Sequence, residues 1–197
     1  PPAAAYAPAA PWISPFSAAS SAVAATAAVP STAASQKPLT QYRHDVWQTP
    51  QGLPQNSVKA IVLRRDGYLW FGTESGLVQF DGVTFRVFDR QSTPTLKDPD
   101  VTALFEDANG DLWIGTDSGL VFTFNGDEFS PIASRTPLSR PVRALFQDKG
   151  GVMWVAAGDQ VTRFVNNSLT VVEGPSHGNV YGFAQDAQGT LLVATGT

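Results

Sequence analysis

The chain has 197 residues, 43% of them hydrophobic and only 15% charged, with a net charge of −4 and no cysteine. That is enough apolar material for one ordinary core, and the acidic balance argues against nucleic acid, whose phosphates are met by a dense basic face. Disulfides and thiolate metal sites are excluded, while the redox compartment stays undetermined.

The first 36 residues hold 15 alanines and no charged side chain. Such a stretch buries too little apolar surface to offset its ordering entropy, so residues 1–38 are read as a disordered or cleaved low-complexity leader. The run from Phe16 to Val29, with small-x-small patterns at Ala22-Val23-Ala24 and Ala25-Thr26-Ala27, has the features of the apolar end of an export signal without its basic start. A leader with no targeting role is an equal alternative. The run is also too short and too polar for a transmembrane helix.

From residue 39 onward the chain repeats. An apolar-Trp-apolar-Gly-Thr run appears as Leu69-Trp70-Phe71-Gly72-Thr73 and Leu112-Trp113-Ile114-Gly115-Thr116, then less strictly as Met153-Trp154-Val155-Ala156-Ala157 and Leu191-Leu192-Val193-Ala194-Thr195. The anchors Trp70, Trp113, Trp154 and Leu192 are 43, 41 and 38 residues apart. A period of that size marks a repeat architecture. A Val stands twelve residues before each anchor, at Val58, Val101, Val142 and Val180.

Each copy reads as strands in a fixed order. The segments Val58 to Leu63, Val101 to Glu106, Val142 to Gln147 and Val180 to Gln185 mix small and large apolar residues, as a strand packed on both faces does. Asp66-Gly67, Asn109-Gly110, Gly150-Gly151 and Gln188-Gly189 then supply hairpin turns into the Trp-centred second strand. Gly72 and Gly115 leave room there for a neighbouring sheet, a place Ala156 takes in the third copy. A third strand is predicted over Leu77 to Phe80, Leu120 to Phe124 and Val161 to Phe164, and a fourth over Phe85 to Phe88, Glu128 to Ile132 and Leu169 to Val172.

Four-stranded antiparallel units at this period predict an all-β β-propeller, in which each blade packs against its neighbours around a channel. Helical pairs of similar period fail because no copy shows 3.6-residue apolar spacing. The blades lie near 58–90, 101–133, 142–173 and 180–197, the last truncated, so residues 39–197 make a partial ring of about three and a half blades. Trp70, Trp113 and Trp154 are expected in the core, ahead of any role as sugar platforms.

Gln51-Gly52-Leu53-Pro54-Gln55-Asn56-Ser57-Val58, Asp66-Gly67-Tyr68-Leu69-Trp70-Phe71-Gly72-Thr73 and Gly76-Leu77-Val78-Gln79-Phe80-Asp81-Gly82 resemble the two-component regulator propeller repeats. The likeness spans about residues 42–197 and is stronger in the first two copies. Members of that family place such propellers in sensor ectodomains, after an export signal and before an immunoglobulin-like domain, a membrane helix and an output module, commonly a histidine kinase and sometimes a diguanylate cyclase. The resemblance therefore implies a periplasmic, amino-terminal, non-catalytic sensor anchored in the inner membrane by a segment outside this chain, and it leaves a homodimer of the parent open.

Several motifs invite other chemistry. Asn125-Gly126-Asp127-Glu128-Phe129 looks like a diguanylate cyclase signature, but it aligns with the turn Asp81-Gly82-Val83-Thr84-Phe85, and no α/β domain accompanies it. Asp107-Ala108-Asn109-Gly110-Asp111 resembles the start of a calcium loop without its closing Glu, so no metal is assigned, and no cofactor either. His44, in the strand-like run Tyr42 to Trp47, and His177, in the loop Pro175 to Asn179, lack the long helix that a phosphoacceptor histidine occupies.

By topology the channel mouth collects Asn56, Glu74, Asp98, Asp100, Asp117, Arg140, His177 and Asn179. These are candidate contacts for a small molecule, a carbohydrate or a peptide, against the plainer reading that they are solvated loop residues. The competing functions are a secreted propeller lyase or glycosidase and a protein-interaction scaffold, between which the fold alone does not choose.

Overall fold

The computed structural model describes residues 45–172 and 178–196. The leader, His44 and His177 lie outside them. Among the described residues, alternating β-branched and aromatic residues between Gly-bearing turns build fifteen strands in four sheets. The first sheet is the meander β1 (Val58–Leu63), β2 (Leu69–Thr73), β3 (Gly76–Phe80), β4 (Phe85–Phe88), and the second is β5 (Val101–Glu106), β6 (Leu112–Thr116), β7 (Val121–Phe124), β8 (Phe129–Pro131). Next come β9 (Ala133–Ser134), the third sheet β10 (Val142–Gln147), β11 (Met153–Ala157), β12 (Gln160–Val165), β13 (Ser168–Val172), and the hairpin β14 (Val180–Gln185), β15 (Leu191–Thr195). The first strands of the sheets lie side by side, β1 by β5, β5 by β10 and β10 by β14. This is a partial β-propeller with the predicted innermost strands.

The apolar faces close between sheets. Trp70 stacks on Phe88 with ring centroids 5.4 Å apart and packs with Leu112, Ile114 and Phe124 of the next sheet. Trp113, Val142, Met153 and Val155 form the equivalent core one boundary further on. The first two links between sheets each contribute a buried leucine, Leu96 and Leu138. Gly72 and Gly115 sit where the next sheet comes closest: a Cβ on Gly72 would stand 2.7 Å from Cγ1 of Val101, and one on Gly115 would overlap Val142. Ala156 fills the same place in the third sheet, buried with Ala144 and Val180.

Two details differ from the sequence reading. Asp45 to Trp47 form no strand; they lead into a 3-10 turn at Thr49–Gln51, with Trp47 edge-on to Phe80 at 5.2 Å and Leu53 buried beside Phe71 and Val78. The fourth strand of the second sheet ends at Pro131, after which the N–H of Ile132 makes one last bond to the carbonyl of Val121 at 2.8 Å. The chain then crosses over, and Ala133–Ser134 pair in parallel with Ser168 and Leu169 on the outer edge of the third sheet.

Candidate functional site

All four sheets carry the same irregularity. In the pairing of first and second strands the register shifts between Val58 and Ala60, Val101 and Ala103, Val142 and Ala144, and Val180 and Gly182. Each shift is a β-bulge that leaves one residue without a ladder partner: Lys59, Thr102, Arg143 and Tyr181. Bulges re-aim side chains, and these four stand at the same end of adjacent first strands, the end predicted to form the channel mouth.

Lys59 and Thr102 bond to the following sheet. Nζ of Lys59 donates to Oδ1 and Oδ2 of Asp100 at 2.8 and 2.9 Å and lies 3.3 Å from Oε1 of Glu74. Burial alone would lower the lysine pKa, but the hydrogen bonds and charges of Asp100 and Glu74 outweigh it and hold the ammonium above its ordinary range. The hydroxyl of Thr102 donates to the carbonyl of Val142 at 2.7 Å. The phenol ring of Tyr181 lies against Gly196, and both Tyr181 and Arg143 are exposed.

The predicted site residues divide around this ring. Glu74, Asp98, Asp100 and Asp117 come together at the boundary of the first and second sheets. Gln55 Nε2 donates to Glu74 at 3.1 Å, the backbone N–H of Asp117 donates to the carbonyl of Asp100 at 2.9 Å, and Asp98 accepts from the N–H groups of Ser118 at 2.9 Å and Asp100 at 3.1 Å. Burial pushes Asp98 up, yet the hydrogen bonds from Ser118 and Asp100 prevail and keep its carboxyl below the usual range. Asn56 instead faces the 3-10 turn, where Oδ1 accepts from the N–H and hydroxyl of Thr49 at 2.8 and 2.9 Å. Arg140 lies over Gly158 in the third sheet, and Asn179 accepts at its carbonyl from the N–H of Gly196 at 2.9 Å. The bulge residues escaped the sequence reading, though each stands directly after a recurrent Val and is the one position there that changes chemistry from copy to copy.

The turn motifs resolve as turns. Asn125 Oδ1 accepts from the N–H groups of Asp127 and Glu128 at 3.0 and 2.9 Å, as Asp81 Oδ1 does from Val83 and Thr84 at 2.8 and 2.7 Å. Asp107 turns its carboxylate inward, to the N–H groups of Asn109 and Asp111 and to Nε1 of Trp113.

The family profile of the two component regulator propeller matches residues 52–75 and 95–118, each running from the approach to a first strand or its turn through the Trp-centred strand. Both segments are two-component regulator propeller repeats. No curated protein matches the chain. Solved structures of similar fold include the extracellular domain assigned to a hybrid two component system of B. thetaiotaomicron, 16% identical with a TM-score of 0.63 over 78% of this chain and 22% of that one. A second, assigned to a one component system of the same organism, is 17% identical with a TM-score of 0.60 over 73% and 21%. The chain thus spans about a fifth of either relative. A catalytically inactive virginiamycin B lyase of Staphylococcus aureus, crystallised with quinupristin, shares the fold at 14% identity and a TM-score of 0.58 over 73% of this chain and 50% of that one. Among the described residues no helix is long and apolar enough to cross a membrane.

Proposed function

We propose that this chain is the ligand-binding propeller of an extracytoplasmic sensor, periplasmic in location and coupled through a membrane helix outside the chain to a histidine kinase. The observation that carries the reading is the contrast within each repeat. The scaffold positions recur from sheet to sheet, while the bulge beside them carries an amine, a hydroxyl, a guanidinium and a phenol in turn, at Lys59, Thr102, Arg143 and Tyr181, the first two bonded to the following sheet and the last two exposed. A constant frame holding varied polar groups at one mouth suits recognition of a polyhydroxylated or peptide-like ligand. A diguanylate cyclase in place of the kinase would use the same mouth.

The chain itself is assigned no reaction. Glu74 and Asp100 face the Lys59 ammonium and Asp98 is held ionised by N–H donors, an arrangement suited to holding a ligand rather than moving protons.

Calorimetric titration with a panel of neutral and uronate-bearing oligosaccharides and short peptides tests the reading. At least one class is expected to bind, with the Lys59→Met, Arg143→Ser double variant weakened more than tenfold or about 1.4 kcal/mol, and Glu128→Gln on an outer turn unchanged. Absence of binding across the panel, or binding indifferent to the double variant, would contradict it.

A further inference from the structure

At the opposite end of the sheets, the turns between first and second strands face one another across each boundary, and the first two boundaries differ in one decisive place. Arg64 stands six residues before Trp70, where Asp107 stands before Trp113. Its guanidinium carbon lies 5.8 Å from the Trp70 ring centroid and 6.0 Å from that of Phe124. Nη2 donates to the carbonyl of Gly110 at 2.6 Å, Nη1 is 3.1 Å from Asp66 and Nε is 3.5 Å from Glu106. With Arg64 only 8% exposed, the first boundary is filled by a cation of the chain itself.

At the second boundary the frame recurs and the cation does not. Trp113 takes the place of Trp70, Phe164 that of Phe124, Asn109 that of Asp66, Gln147 that of Glu106 and Gly151 that of Gly110. Asp107 is too short to cross the gap and bonds to Trp113 instead. A cavity of about 370 Å³ remains, lined by all five of these equivalents together with Asp107, Asp111 and Asn167. The carboxylate of Asp111 and the side-chain amides of Asn109 and Asn167 have no hydrogen-bond partner among the described residues. Burial, and next the neighbouring carboxylate of Asp107, raise the pKa of Asp111, with Arg64 offsetting part of the effect. A positive group entering the cavity would offset both with opposite charge.

We infer that the cleft between the second and third sheets binds the guanidinium group of a small external ligand, in the manner in which the first boundary holds the side chain of Arg64. The planar cation would lie against the corner made by Trp113 and Phe164, whose rings stand edge-to-face with centroids 5.1 Å apart, with Asp111 accepting its N–H groups and the Asn amides closing the rim. The cleft is at the far end of the sheets from the bulge ring, so it stands or falls independently of ligand recognition at the mouth.

The test is a titration of the whole chain with ethylguanidinium chloride, followed by heat and by tryptophan fluorescence, with sodium chloride at matched ionic strength as the blank. Saturable binding of one equivalent is expected, weakened about tenfold by Asp111→Asn, which removes charge from a carboxyl that makes no hydrogen bond in the fold. Asp107→Arg, which rebuilds the first boundary's arrangement, is expected to abolish it. Should that variant fail to fold, Asp111→Asn still decides. No saturable signal, binding indifferent to Asp111→Asn, or equal affinity for ethylammonium would overturn the inference.

Discussion

Nε1 of Trp113 donates to Oδ2 of Asp107 at 3.0 Å, and Nε1 of Trp154 repeats the bond to Oδ2 of Asp148 at 2.8 Å. In each case the acid opens the hairpin turn and the indole lies six residues on, so a single carboxylate orders the turn and satisfies the indole N–H. Asp107→Ala removes both functions and is expected to cost about 2 kcal/mol, as a buried donor left unpaired does. Asp148→Ala is expected to cost less, because Trp154 is only half buried. Urea denaturation of the two variants gives the order.

Close approach of the sheets depends on the missing side chain at Gly115. Gly115→Ala would press its methyl into Val142 and is expected to destabilise the chain by about 1–3 kcal/mol. Val142→Ala in the same background should recover part of that loss. A double-mutant cycle by thermal unfolding reads the coupling, and additive effects would show the two positions to be independent.

The two bulge contacts differ in kind. Lys59 lies in a partly solvated pair with Asp100, so Lys59→Met is expected to cost about 0.5 kcal/mol and to lose even that effect at high salt. Thr102→Val strips a donor from the carbonyl of Val142 and is expected to cost about 1 kcal/mol regardless of salt. Denaturation at low and high sodium chloride separates them.

Two carboxyls impose opposite pH dependences. Asp98 is held below its ordinary range, so its contribution is complete above that range and is lost as pH falls through the depressed value; Asp98→Asn should flatten this acid limb. Asp111 is raised, so its destabilising effect is absent in strong acid and sets in as pH rises from the ordinary carboxyl range through the raised value. Asp111→Asn should therefore be more stable than the parent at neutral pH and converge with it in acid. Melting temperatures from pH 2 to 7 give both signs.

The repeat made most of the fold legible. The twelve-residue step from Val to anchor placed every first strand at the bounds observed, because strand, turn and strand have fixed lengths between those points. The crossover of Ala133–Ser134 was not legible, since it depends on an edge of the third sheet far along the chain. The same holds for the mouth: Lys59 reads as an ordinary polar position in an apolar strand, and only the register shift against β2 turns it toward Asp100. The role of Arg64 was hidden for another reason. Its place in the repeat is that of a turn-forming Asp, and what it fills becomes visible only beside the open cleft at the next boundary.

The proposed membrane-coupled sensor requires a membrane span and an output module in the same polypeptide as the propeller. The most direct measurement is the nucleotide sequence of the reading frame beyond Thr197. Further propeller repeats, an apolar run of about twenty residues, and then a histidine-kinase or cyclase module are expected there. A stop codon directly after the last propeller repeat, with no such run, would contradict the proposed sensor and favour a secreted enzyme or binding scaffold.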